Sequence, residues 1–188
     1  MADVNRDREF CFSILTEHTK SESLVKHALA VETCVKAYAV KFNEDVEFWG
    51  NVALLHDFDY EMYPDASGHP YKGNEILIAK GFDDSFRKAI MSHADYTGVM
   101  RETLLEKVLF ACDELAGFIT AVTYVRPSRT VDEVEVRSVR KKMKDKAFAR
   151  TVSREDIING AEALGIPLDE HIEFCINAMK INKINLGL

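Results

Sequence analysis

The chain has no apolar run approaching the roughly 18 residues that a membrane-spanning helix needs. It has no Walker-type phosphate loop and no GxGxxG motif, so no phosphate-cradling loop demands a nucleotide. Cysteine is sparse: Cys11, Cys34, Cys112 and Cys175 lie far apart and form no CxxC pair. That spacing excludes a thiolate zinc site and a disulfide scaffold, and reduced structural thiols are the expectation. Cys34 and Cys112, among apolar neighbours, read as small core residues. Positive charge is also in deficit. The net charge of -7 supplies no general attraction for nucleic acid. Internal repeats, low-complexity tracts and strong strand runs are missing. The opening, Met1 to Glu9, is charged and lacks the apolar centre of a signal peptide. These absences describe a cytoplasmic chain with neither a membrane nor a nucleic acid as partner.

What remains is ordinary globular material: 188 residues, 47% hydrophobic and 29% charged, enough for a real core in one domain spanning 1–188. Helical periodicity dominates. Ser21-Glu22-Ser23 offers caps to a helix with Leu24, Ala28, Val31, Val35 and Tyr38 on one face, and His27 lies among them. Asn43-Glu44-Asp45 ends it and caps a second helix, read as running from Val46 through Trp49, Val52 and Leu55 to His56-Asp57. Pro64 to Pro70 is a loop, and Gly73 to Lys80 a short helix closed by Gly81. Asp83-Asp84-Ser85 caps a helix carrying Phe86, Ala89, Ile90 and His93. Glu102 to about Val125 is a long amphipathic helix with Asp113 on or beside its apolar stripe. A turn at 126–130, a helical segment opening at Val131, a helix capped by Ser153 and a last helix capped by Asp169 complete an all-α architecture. A core of about residues 20–125 and a helical extension of about 130–188 are expected.

Six histidines punctuate this pattern. His18 and His171 sit in polar stretches and read as surface residues. His27, His56 and His93 each follow apolar residues at helical spacing, and His69 lies in a Gly-His-Pro loop shortly after the His56-Asp57 doublet. Taken singly, each is more often a hydrogen-bonded boundary residue than a ligand. The ordered set is harder to explain that way. Imidazole and carboxylate donors together suit Mn, Fe, Co, Ni or Zn, whereas pure Mg or Ca sites favour all-oxygen shells.

The order His27, His56-Asp57, His69, His93, Asp113 resembles the HD-domain metal-dependent phosphohydrolases, and within them small bacterial proteins of the HDIG type. The resemblance covers roughly Leu24 to Gly117. It implies a helical bundle around a central metal site. His27, His56, Asp57 and Asp113 would hold a first divalent cation. His69 and His93, with Asp57 bridging, would hold a second. The metal would be Mn, Fe, Co, Ni, Zn or Mg, one or two per chain. A cation lowers the pKa of a bound water and supplies hydroxide near neutral pH, which implies hydrolysis of a small phosphorylated metabolite such as a nucleotide. The chain departs from the family after the doublet, where Phe58-Asp59-Tyr60-Glu61 stands. Asp59 and Glu61 are weak acid/base candidates there. Lys72, Arg126 and Arg129 are weak candidates for holding phosphate, with a solvated side chain the blander reading of each. The basic run Arg137 to Lys146 reads as a solvated helix face balancing Glu133 and Glu135. Two other functions share the ligand set: a di-iron oxygenase of the same superfamily, and a non-catalytic nucleotide-binding module.

Overall fold

Two 21-residue helices carry the molecule, α2 (Glu22–Phe42) and α6 (Leu104–Tyr124). Both are long because their apolar residues repeat at helical spacing, and each is stopped by a definable signal. At the end of α2, Asn43 takes the left-handed conformation at φ 56° and returns its N–H to Val40. At the start of α6, Thr103 and Glu106 form a reciprocal capping box. The computed structural model describes residues 3–188. Around the two long helices stand α1 (Arg8–His18), α3 (Val46–Leu54), α4 (Tyr71–Ala79), α5 (Asp84–Met91), α7 (Val136–Met143), α8 (Arg154–Ala163), α9 (Leu168–Ile181) and α10 (Lys183–Leu186). No strand occurs among the described residues, so the protein is an all-α bundle.

Side-chain oxygens define most helix starts. Asp7, Asp45, Asp83 and Ser153 each accept a backbone N–H from the first turn that follows. Ser21 does not. Its hydroxyl pairs with Ser23, and the Glu61 carboxylate takes the N–H groups of Lys20 and Ser21 at 2.7 and 2.9 Å. The acid of a distant loop thus replaces the expected local cap. Asp169 is likewise not a cap: it lies in the first turn of α9, whose N-cap is Pro167.

The apolar faces merge into one contiguous core that runs from Cys11 on α1 to Leu186 on α10. All four cysteines are buried and free within it. Fully burying a side chain such as Leu54 or Phe118 contributes about 1.5–3 kcal/mol. α8 lies close against α6, where Gly160 meets Ala111: a Cβ on Gly160 would fall 2.5 Å from the Ala111 Cα. No helix is long and apolar enough to cross a membrane among the described residues.

Other expectations need correcting as well. The helix read as reaching Asp57 ends at Leu54, and the one read through His93 ends at Met91. The reason is the same in both. Each histidine donates its Nδ1–H to the carbonyl three residues back, Ala53 at 2.7 Å and Ile90 at 2.6 Å, and so closes the last turn itself. His171, read as surface, is fully buried on α9. Its Nε2–H donates to the Ala111 carbonyl at 2.9 Å and its Nδ1 accepts the Tyr38 hydroxyl at 2.7 Å. Burial lowers its pKa, opposed by the Ala111 carbonyl. His18 is half-buried, with its ring edge against Phe58.

Candidate metal centre

Five chain segments converge at α2 and α6. α2 supplies His27 and α6 supplies Asp113, with His27 Nε2 and Asp113 Oδ1 3.0 Å apart. The turn after α3 supplies His56 and Asp57. His56 Nε2 lies 3.3 Å from Asp113 Oδ1 and 3.4 Å from Asp57 Oδ2. The other oxygen of Asp57 faces away from this group. Its Oδ1 lies 3.2 Å from His69 Nε2 and 3.3 Å from His93 Nε2. The structure therefore holds two donor groups, His27/His56/Asp57/Asp113 and Asp57/His69/His93, each with donor atoms within 4.8 Å of one another. Asp57 stands in both, one oxygen to each.

The proton positions show what these donors lack. His56 and His93 each spend Nδ1–H on a carbonyl, and His69 gives Nδ1–H to Asp59 Oδ1 at 2.8 Å. The three rings then present bare Nε2 lone pairs to the centre. His56 Nε2 is wholly buried and has no hydrogen-bond partner. His69 Nε2 and His93 Nε2 face each other at 3.2 Å, lone pair to lone pair. Such an arrangement is repulsive unless a cation or an extra proton lies between the rings. Donors about 2.1 Å from a cation stand about 3.0–3.4 Å apart for octahedral or tetrahedral geometry, and the pairs given above have that spacing, while His27 Nε2 and Asp57 Oδ2 stand wider at 3.8 Å. The residues fit a divalent cation in each group.

Without metal, protons take that role. Burial opposes charge on His69, but hydrogen bonds and charge from Asp57 and Asp59 outweigh it and push its pKa up to about 9. Burial likewise opposes charge on His56, and Asp57 with Asp113 reverse the balance and raise it well above the usual range. Asp57 and Asp113 are disfavoured as anions by burial, yet the surrounding imidazoles hold both well below the usual carboxylate range.

Asp59, considered as an acid/base, has a different place. It is fully buried beneath His69, with Oδ2 accepting the Gly73 N–H at 2.7 Å. It fixes the His69 ring and its tautomer and has no path to a substrate. Glu61 caps α2, as described above. Lys72 is exposed and paired with Glu75. Arg126 bonds Ser138 in a separate recess beside Lys141 and Lys142, and Arg129 occupies the left-handed region at φ 52° in the turn after α6. None of the three lines the cleft over the centre. The basic run is engaged in part with acids, Arg137 with Glu135 and Arg140 with Asp169.

That cleft, of about 420 Å³, opens over both donor groups. Sequence reasoning missed most of its walls. Tyr60 sets its ring edge-on to His69, and Tyr96 donates its hydroxyl to the His69 carbonyl at 3.1 Å. Glu114, next to Asp113 on α6, and Asp156, in the first turn of α8, line it as well, near enough for the charge of Asp156 to act on Glu114. Burial and the charge of Asp113 push the Glu114 carboxyl up to about 7, opposed by the Ser153 N–H that donates to it. A carboxyl in that state gains most from a cation placed beside it. Only Glu114 carried a signal in the sequence, as the neighbour of a proposed ligand. A larger groove of about 650 Å³ between α2 and α9 holds no such cluster, and its buried Glu32 is paired with Arg8 and Lys36.

Fold and site together define an all-helical protein with a buried histidine–aspartate cluster able to hold metal ions. Comparison of the chain with protein-family models, curated proteins and solved structures gives no match.

Proposed function

We propose that the protein is a metal-dependent phosphohydrolase acting on a small phosphorylated metabolite, as the resemblance to the HD-domain hydrolases implies. The observation that carries the reading is the two-sided Asp57, whose oxygens serve separate imidazole groups. A shared carboxylate between two donor sets suits a pair of cations acting on one phosphate. Bound cations would supply Lewis acidity, acidifying water and neutralising phosphate charge. His27, His56, Asp57 and Asp113 would hold one, and Asp57, His69 and His93 the other. The protein's own part is preorganisation. Ala53, Ile90 and Asp59 hold three rings with Nδ1 engaged and Nε2 turned to the centre, so no side chain has to rearrange before loading and a cation displaces only protons. The cleft above, of about 420 Å³, is broad enough for a small ester and is lined in part by Tyr60 and Tyr96.

The test is phosphate release by chelator-stripped protein reloaded with Mn, Fe, Co, Ni, Zn or Mg. The substrates are nucleoside monophosphates, dinucleotides and a generic phosphate monoester. Metal-dependent release supports the reading. Oxygen uptake with iron and no phosphate release would replace it with the di-iron oxygenase. Nucleotide binding by inactive, metal-free protein would replace it with a binding module.

A further inference from the structure

The cleft over the metal centre contains no lysine and no arginine among its described lining residues. Two arginines come near it and both are already engaged. Arg101 pairs with Asp95, donates to the Ser92 carbonyl at 2.7 Å and stacks on the Phe110 ring with 3.7 Å to its centroid. Arg154 donates to the carbonyls of Ala149, Val152, Phe148 and Asp145 and lies over Phe118. What the cleft offers beside its donor cluster is acid and aromatic surface: Glu114 of α6 and Asp156 of α8, with Tyr60 and Tyr96 also lining it. Neither Glu114 nor Asp156 has a lysine or arginine partner within ion-pair distance among the described residues. Cations on Asp57 and Asp113 would meet a phosphate. They leave nothing to balance the second pair of acids, and a nucleotide with further phosphates would worsen the mismatch. The cleft opens onto the donor cluster through Asp57 and Asp113, behind which the buried His56 Nε2 has no hydrogen-bond partner.

We propose that the substrate is a small phosphate ester that carries a cationic amine or ammonium group, bound by Glu114 and Asp156 with the tyrosine faces beside it. The proposal rests on the phosphohydrolase reading for the phosphate end and on the charge of the wall for the other. Carboxylates and aromatic faces are the pair of groups that recognise ammonium ions. The cleft volume of about 420 Å³ admits a molecule of amino-alcohol phosphate size. Asp156 has a plainer role as a first-turn acid of α8, and Glu155 shares that turn without lining the cleft, which makes it a control.

The experiment measures binding to Mn-loaded full-length protein by calorimetry with two non-hydrolysable, nearly isosteric probes, 3-aminopropylphosphonate and butylphosphonate. The amine-bearing probe is expected to bind at least about tenfold tighter. The preference should fall toward parity in Glu114→Gln and in Asp156→Asn and persist in Glu155→Gln. The glutamine keeps an oxygen for the Ser153 N–H, so the Glu114 variant retains its link to α8. Equal binding of the two probes, absence of binding by either, or a preference unchanged in both variants overturns the proposal. Phosphate release from phosphoethanolamine and propyl phosphate is read in parallel. Equal release from both sinks this inference and leaves the hydrolase standing. Selective binding of the amine without release from either ester upholds recognition of the cationic end and overturns the phosphate-ester end, and with it the hydrolase.

Discussion

Replacing Asp59 by Asn changes one atom's chemistry and no volume, and the structure fixes its consequence. Asp59 accepts two hydrogen bonds in full burial, from His69 Nδ1–H at 2.8 Å and from the Gly73 N–H at 2.7 Å. Asparagine has one oxygen. If that oxygen stays on His69, its NH2 group meets the Gly73 N–H, donor against donor, and a buried amide goes unpaired at about 1–3 kcal/mol. If the amide flips, it donates to His69 Nδ1 and drives the ring proton to Nε2. The proton then occupies the lone pair that faces Asp57 Oδ1 and His93 Nε2. Either outcome weakens the Asp57/His69/His93 group and leaves His27, His56 and Asp113 untouched. The expected effect is a loss of about ten- to a hundredfold in affinity for one cation, with the other binding event at its wild-type strength. Calorimetric titration of Mn into chelator-stripped protein reads both, and circular dichroism shows that the helices remain. Two wild-type affinities in the variant, or both lost together with intact helices, would refute the assignment of Asp59 to His69.

Two further outcomes are expected. Gly160→Val should cost about 1–3 kcal/mol of stability, because the new Cβ falls on the Ala111 backbone; Gly50→Ala should cost less, since its clash is with the flexible Lys36 side chain. Thermal denaturation compares them, and equal melting temperatures for the two variants would contradict the close approach of α6 and α8. Loading metal near pH 7.5 should release protons, since metal-free His69 keeps its proton up to about 9. The stability this proton confers is complete below the unfolded histidine value of about 6.5 and is lost as pH rises through about 9, while cation affinity rises over the same window. Calorimetry in two buffers of different ionisation enthalpy measures the release, and a result independent of buffer would be evidence against it.

The sequence made the helices legible where a cap introduces the helical pattern, as at Asp45, Asp83 and Ser153. α1 was missed because charge at both of its ends hides Cys11, Ile14 and Leu15, a buried face set by helical spacing. His171 was misread because its neighbours Asp169 and Glu170 are polar, while its burial depends on Tyr38, which is 133 residues away. The six proposed ligands were identifiable as a set because four of them interrupt apolar faces and the resemblance supplied their order. The roles of Asp59 and Glu61 were not readable. Each depends on a partner, His69 or the start of α2, that only the folded loop brings near. The acids of the cleft come from separate helices, and no local pattern marks Asp156 as lining the same cleft as Glu114.

The account turns on whether buried nitrogens and carboxylates such as His56 Nε2 and Asp57 hold cations. Elemental analysis of protein purified with neither added metal nor chelator tests this directly, with His56→Ala beside it. One or two divalent first-row ions per chain in the parent, and loss of metal in the variant with helical content retained, are predicted. A metal-free parent that also fails to take up Mn, Fe, Co, Ni or Zn on titration, or a His56→Ala protein with its metal intact, would contradict the account.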